Sequence, residues 1–165
     1  MENKLVLPPG FNLRLAQVND EFFFCSLFCS ARPELSVLPL PQEQLEALIR
    51  QQYEWQQKSY ASQYPNATRW VIEVDSEAVG KIMFAHSDAG VHIVDFIVAP
   101  LNRGYKIGST ILIALQNYVD IGDTSLSLSV ERQNSRAKQL YQRLGFSLSQ
   151  STDTHEQMIW FSSHK

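Results

Sequence analysis

Short stretches of the chain in which apolar and polar residues alternate are separated by stretches with a helical period. The alternation from Asn12 to Ala16 predicts a first strand. Two helices are predicted to follow: one capped by Asn19 or Asp20 and continuing through Cys29, and one from Pro41 to about Tyr60. The chain therefore opens in the order β, α, α.

The remaining elements are predicted from the same two periods. They are strands at Arg69 to Asp75, Val79 to Ala85 and Val91 to Val98, a helix from Ile107 to a stop at Gly122, a strand from Leu126 to Val130, a helix from Asn134 to Leu144, and strands near Phe146 to Ser149 and Gln157 to Phe161. Because short turns separate the first three of these strands, we expect an antiparallel meander. The whole order predicts an α/β fold with helices packed on a mixed sheet.

Length and charge limit the kinds of function. A chain of 165 residues that is 44% hydrophobic can fill one core, so we expect a single domain over residues 1–165 with its core in 11–162. A net charge of -3 argues against a nucleic-acid partner, because a protein that binds phosphates over a surface needs a basic face. An anionic ligand would have to be held by a local structure.

Cysteine, histidine and apolar content indicate where the protein works. The apolar runs are much shorter than the ~20 residues that cross a bilayer, so we expect no membrane partner. Cys25 and Cys29 fit buried, reduced thiols better than a disulfide, which favours a cytoplasmic location. The histidines lack the spacing of metal ligands, and no metal is predicted.

A tight connection before the helix at Ile107 is the first candidate for chemistry. Backbone amides that start a helix are unpaired and carry the positive end of its dipole, so they can hold a diphosphate. Glycine lets a phosphate approach the backbone, and Arg and Lys add charge-assisted bonds. Taken alone, glycine before a helix is more often ordinary turn chemistry. The candidate residues are Arg103, Gly104, Tyr105, Lys106, Ile107, Gly108 and Ser109.

A second segment, Asn134 to Phe146, supports the first. Asn134 can cap a helix whose apolar face includes Ala137, Leu140 and Tyr141, and Gly145 ends it before Phe146. Together the two segments resemble the acetyl-CoA motifs of the GNAT superfamily of N-acetyltransferases. The first resembles Q/R-x-x-G-x-G/A, with Lys106 in place of the first motif glycine, and the second matches N-x-x-A-x-x-L-Y-x-x-x-G-F without a gap.

The resemblance implies a fold and a set of roles. The fold has a mostly antiparallel sheet flanked by about four helices, with two strands splayed where acetyl-CoA binds. Ile97 and Val98 would pair with the pantetheine arm, and Asn134 would lie at the cofactor site. Tyr141 would protonate the leaving thiolate, and the backbone N–H of Val98 would meet the oxyanion.

A base is needed to deprotonate the acceptor amine. Asp95 is the first candidate, acting directly or through water, because a lone carboxylate in mid-strand is costly unless it is paired or used. Glu73 is the substitute, and an ion pair with Lys81 is the structural alternative for either.

The acceptor stays open at this point. The segment from Ala31 to Asn66, which includes Trp55, is where family members shape the acceptor pocket, although a solvated helix face explains its glutamines equally well. We expect attack by a small-molecule primary amine in a ternary complex. The alternatives are a protein or peptide amine, or a non-catalytic acyl-CoA-binding regulatory module. Met158 to Phe161 would also allow a homodimer through an edge strand, if they are not a covered core strand.

Overall fold

A computed structural model of the chain describes residues 4–164. Its strands are β1 (Phe11–Leu15), β2 (Thr68–Val74), β3 (Glu77–Ser87), β4 (Gly90–Val98), β5 (Ser125–Glu131), β6 (Ser147–Ser151) and β7 (His155–Phe161). Its helices are α1 (Glu21–Ser30), α2 (Pro33–Ser36), α3 (Gln42–Gln63), α4 (Ile107–Ile121) and α5 (Ser135–Arg143). The predicted order is confirmed, apart from the short α2, where prolines were expected only to break the chain.

The seven strands form one sheet in the order β1-β2-β3-β4-β5-β7-β6. All neighbours are antiparallel except β4 and β5, which run parallel. The expected meander of β2, β3 and β4 is therefore confirmed, as is the mixed, mostly antiparallel sheet. Asp75 and Ser76 make the first turn of the meander, both with positive φ, the conformation of a tight hairpin.

The helices cover both faces of the sheet, and each face has its own core. One core packs α4 and Tyr141 of α5 on the sheet through buried residues that include Ile111, Leu112 and Leu126. The other packs α1, α2 and α3 around Phe24, Leu27 and Val71. Because strand side chains alternate between faces, β4 contributes to both cores, and its end is where the two layers meet.

The C-terminal strands differ from one expectation. Met158 to Phe161 lie in β7, which pairs with β5 on one side and with β6 on the other. The strand is therefore covered and not an edge, so the homodimer expected through it has lost its basis. The edge is β6, and all five of its residues are exposed.

Three further features bear on the sequence analysis. Cys25 and Cys29 are half-buried free thiols. None of the helices within residues 4–164 is both long and apolar enough to cross a membrane. In the same part of the chain, His, Cys, Asp and Glu form no group of three suited to a metal ion.

Candidate active site

A gap opens in the sheet between β4 and β5. The two strands pair only from Gly90 to Ile93 on β4 and from Ser125 to Leu128 on β5, and then separate. Val94 is an extra residue on β4, because Met83 lies opposite Asp95 and Phe84 opposite Ile93. Such a bulge bends a strand and increases its twist, which explains why β4 leaves β5 at this point.

The open edge of β4 carries backbone amides that have no partner within residues 4–164, whereas the Val98 carbonyl accepts from Arg103 Nε at 3.2 Å. The Ala99 N–H donates to the Val79 carbonyl at 2.8 Å, so Ala99 faces β3. Successive residues of a strand point their amides to opposite edges, and Val98 and Phe96 therefore present theirs to the gap. The Ile97 amide faces β3, although the residue is among those that line the gap. Phe96 was not predicted as a backbone donor, because only the strand register reveals it.

The turn before α4 is a cradle of free amides. The Asn102 and Arg103 amides donate to Ala99 and Pro100, and the first intrahelical bond is made by Thr110 to the Lys106 carbonyl. Among the described residues, no carbonyl or side chain accepts from the amides of residues 104–109. Since a helix start concentrates positive potential, these amides suit a diphosphate.

Lys106 keeps the turn that glycine would make. Its φ is 60° and its ψ is 21°, the left-handed conformation, and it caps α4. Gly104 also has a positive φ, of 87°. A side chain of alanine size at Gly108 would make ordinary contacts with Leu140 and Phe96, the nearest at 3.6 Å. Lys106 thus adopts a conformation that glycine takes readily.

A groove of about 620 Å³ runs from this cradle to the end of β4. Ten of the predicted site residues line it: Ile97, Val98, Arg103, Gly104, Lys106, Ile107, Gly108, Ser109, Asn134 and Tyr141. Tyr105 instead points its side chain outward, with 75% exposed. Arg136 and Arg143 of α5 also line the groove and were missed, because nothing in the sequence distinguishes them from surface arginines of an amphipathic helix.

Asn134 holds the start of α5 beside the groove. Its side-chain oxygen accepts from the Ala137 amide at 3.2 Å, which is the predicted cap. The cap fixes α5 so that Tyr141 reaches the gap. The Tyr141 ring packs against Phe146, with centroids 5.7 Å apart, and only 8% of the residue is exposed.

A second cavity, of about 460 Å³, lies on the other side of Tyr141. Its walls come from α3, β4 and β5 and include Tyr60, Tyr64, His92, Asp95 and Glu131. Tyr141 and Asn134 line both spaces, so the groove and the cavity meet at the phenol. The end of α3 contributes to this wall through Gln56, Tyr60 and Gln63, and Tyr64 follows directly after it. Trp55, by contrast, is 59% exposed.

The two candidate bases are in different places. Asp95 lies in the wall of the cavity, with its side chain 12% exposed and one oxygen 3.1 Å from the Lys81 ammonium. The ion pair proposed as the structural alternative is therefore present. Glu73 lies near the end of β2, where Arg14 and Asn12 donate to its carboxylate and lower its pKa.

Burial sets the state of the phenol. Burial, and then the charge of Asp95, raise the pKa of Tyr141 to about 12. The phenol is therefore protonated at neutral pH, as a proton donor must be. Its hydroxyl makes no hydrogen bond within residues 4–164, which leaves it free for a ligand.

Comparison with known proteins decides the family. The model of the acetyltransferase (GNAT) family matches residues 34–146, which span the free-amide turn and the second motif. The chain belongs to this family. The resemblance inferred from the two motifs is therefore confirmed.

Individual relatives agree with this GNAT assignment. An uncharacterized N-acetyltransferase of Methanocaldococcus jannaschii is 33% identical over 87 residues, which make up 52% of this chain and 55% of that protein. The chain thus spans about half the length of that relative.

Solved structures share the fold. A ribosomal L7/L12 alpha-N-protein acetyltransferase in complex with coenzyme A superposes with a TM-score of 0.64 at 16% identity, covering 98% of this chain and 99% of that one. A spermidine N-acetyltransferase of Vibrio cholerae has a TM-score of 0.61 at 17% identity, covering 94% and 96%. At these identities the likeness shows the GNAT fold.

Proposed function

We propose that this protein transfers the acetyl group of acetyl-CoA to the primary amine of a small molecule, by direct attack in a ternary complex. The observation that carries the proposal is the meeting of groove and cavity at Tyr141. One space has the free amides for a diphosphate, and the other is a separate, smaller space for an acceptor. A reactant in each would meet at the phenol.

The groove fits the cosubstrate. The amides of residues 104–109 would hold the diphosphate, and Arg103 and Lys106 stand beside them. The open edge of β4 at Phe96 and Val98 would pair with the pantetheine arm as an added strand does. The neighbour that binds coenzyme A has the same fold, which supports this use of the groove.

Each chemical role has a candidate. Tyr141 would give its proton to the departing thiolate, and the Val98 amide would hold the developing oxyanion. Asp95 would take the proton of the amine, directly or through water, with the oxygen that Lys81 leaves free. These three assignments rest on the positions of the side chains and of the Val98 amide around the gap between β4 and β5.

Direct attack is favoured by the absence of a suitable thiol. An acetyl-enzyme intermediate needs an activated nucleophile at the junction. Cys25 and Cys29, the two cysteines of the chain, lie on α1 and line neither space. Burial also raises the pKa of the Cys25 thiol, which lowers its thiolate fraction.

A small acceptor is favoured by the size of the cavity. Its 460 Å³ falls in the range of small-molecule sites, and the similar fold of a spermidine N-acetyltransferase supports an acceptor of this kind. The fold of a protein acetyltransferase is also similar, so peptides belong in the test.

The test measures free coenzyme A released from acetyl-CoA by the purified protein, with small primary amines and with peptides that carry a free N-terminus. We expect kcat/KM for the best small amine to exceed that of any peptide by about tenfold or more. Double-reciprocal plots of the initial rate, at several concentrations of the second substrate, should give intersecting lines, as a ternary complex requires. Parallel lines, or protein acetylated by acetyl-CoA alone, would contradict direct attack. Tight cofactor binding without release by any amine would favour the binding module.

A further inference from the structure

A histidine in the acceptor cavity has an unused nitrogen. His92 of β4 stacks on Tyr64, with ring centroids 5.2 Å apart, and its Nδ1 lies 2.8 Å from the Ser127 hydroxyl oxygen. Its Nε2 is buried and has no hydrogen-bond partner within residues 4–164. A buried polar atom without a partner is costly, so this nitrogen is a place where a ligand gains a hydrogen bond.

His92 lies away from the reacting groups. Asp95, whose charge reaches Tyr141, marks the reacting end of the cavity. Because Val94 is an extra residue, the β3 partners of His92 and Asp95 are only two positions apart, which corresponds to about 7 Å along the strand. Burial lowers the pKa of His92, so the ring is neutral at pH 7 and acts there by hydrogen bonding and not by charge.

The more buried carboxylate of the cavity already has a cation, and the other carboxylate, Glu131, lies at the solvent-exposed rim with its side chain 60% exposed. Of its two carboxylates, Asp95 is paired with Lys81 at 3.1 Å and Glu131 with Arg32 at 3.8 Å. A polyamine would therefore place its distal ammonium beside a neutral imidazole and beside carboxylates that already have cations. Such a desolvated charge is unfavourable.

The walls suit a flat body. The aromatic residues that line the cavity are Tyr60 of α3, Tyr64 just after α3, Phe28 of α1 and Tyr141 of α5. Burial and the charge of Asp95 raise the pKa of Tyr60, which therefore stays a neutral phenol. Aromatic walls favour a ring or another planar group between the reacting amine and its far end.

We infer that the acceptor is a monoamine with an uncharged, flat body, whose far end carries a hydroxyl or amide group that hydrogen-bonds to His92. This inference rests on the proposed function and names the class of its acceptor. His92 is a specificity-determining residue in this scheme. It hydrogen-bonds to the distal group of the acceptor, and the residues around Tyr141 carry out the transfer step.

The test compares tyramine, phenethylamine and spermidine as acceptors. Tyramine differs from phenethylamine only by the hydroxyl, so the ratio of their kcat/KM values reports the distal hydrogen bond. We expect a ratio of about ten in the wild type, the effect of one hydrogen bond, and weaker turnover of spermidine than of either. A wild-type ratio near one, or spermidine as the best acceptor, would overturn the inference.

Substitution of the histidine locates the effect. His92→Phe keeps a ring on Tyr64 and removes the nitrogen, so the ratio of the two kcat/KM values should fall to about one. His92→Gln restores a hydrogen-bonding group and should recover part of the ratio. His86→Phe is the matched control, since His86 packs on Phe84 and Tyr118 outside the cavity. A ratio unchanged by His92→Phe would assign the discrimination to another residue and refute this role.

Binding separates this inference from the proposed function. The affinity of tyramine and of phenethylamine for the complex with coenzyme A can be measured by calorimetry without any transfer. If no amine releases coenzyme A, the proposed function fails, while a tenfold preference for tyramine that His92→Phe abolishes still supports the distal contact. Equal affinities with normal turnover contradict the specificity and leave the acetyltransferase activity standing.

Discussion

At the scale of single residues, Tyr141 links sequence to chemistry most directly. Helical spacing alone made it a core tyrosine, and its ring is indeed packed against Phe146. The same residue lines both the groove and the cavity, and the proposal makes its hydroxyl the proton donor. A residue can thus be structural through its ring and chemical through its oxygen, and a substitution that removes only the oxygen separates the two contributions.

Tyr141→Phe should lower kcat by about 100-fold, the usual effect of losing a general acid, while the Kd for acetyl-CoA stays within about twofold. The fold should persist, because the phenol makes no hydrogen bond within residues 4–164 that phenylalanine would lose. Steady-state kinetics and calorimetry measure the two quantities. Tyr118→Phe of α4 is the control, and an unaltered kcat in Tyr141→Phe would remove the phenol from the reaction.

The pH dependence of kcat should show at which pH Tyr141 loses its proton. Because the pKa of Tyr141 is raised to about 12, the phenol keeps its proton at every pH below that value and loses it only above. The wild-type kcat should therefore show no fall between pH 8 and about 10 that depends on the tyrosine. An alkaline decline in this range that disappears in Tyr141→Phe would mean that the phenol titrates at its ordinary pKa.

At the scale of elements, the turn into α4 holds a lysine in a glycine conformation. A left-handed L-residue costs roughly 1–2 kcal/mol, and glycine returns about 0.5–1 of that through unfolded-state entropy. Lys106→Gly should therefore raise the free energy of unfolding of the unliganded protein by about 0.5–1 kcal/mol. Denaturant titration measures the change.

Lys106→Ala is the matched control for this turn, because it loses the same charge but keeps the strained φ of 60°. Both variants should bind acetyl-CoA more weakly if the ammonium contacts the diphosphate, and only Lys106→Gly should gain stability. Were Lys106→Ala the more stable of the two, the left-handed conformation would not be a cost to the fold.

Elements were easier to predict from the sequence than their relations. The alternation of Leu126, Leu128 and Val130 predicts β5, and the cap at Asn134 predicts the start of α5, because both signals are local. The bulge at Val94 and the parallel pairing of β4 with β5 depend on contacts between distant segments. Periodicity in one segment carries no register, so the gap was expected only through the family resemblance.

The candidate site divides in the same way. The turn before α4 could be recognised from its glycines and cations, whereas the acceptor cavity could not. Its wall joins Tyr60, His92 and Glu131, from three elements far apart in the chain. The ion pair of Asp95 with Lys81, the structural alternative to a role as base, could be predicted because a carboxylate in mid-strand needs a partner.

At the scale of the whole molecule, the gap separates the sheet into two parts that only the beginning of β4 and β5 joins. The groove touches both parts, with the end of β4 on one side and α5 on the other. A ligand that fills it would add contacts between the two parts and would bind the folded protein alone. Binding should therefore be visible as global stability.

Acetyl-CoA should raise the melting temperature. At about 100 times its Kd a ligand contributes roughly 2.7 kcal/mol, and for a domain of this size each kcal/mol is worth about 2–4 °C, so a shift of about 5–10 °C is expected. Pantetheine lacks the diphosphate and should give little shift at the same concentration, because the free amides of residues 104–109 and the cations near them then have no ligand. Differential scanning fluorimetry measures both shifts. Equal shifts from the two compounds would place the binding energy on β4 and leave the turn before α4 without its proposed role, whereas no shift at millimolar acetyl-CoA would remove the groove as its site.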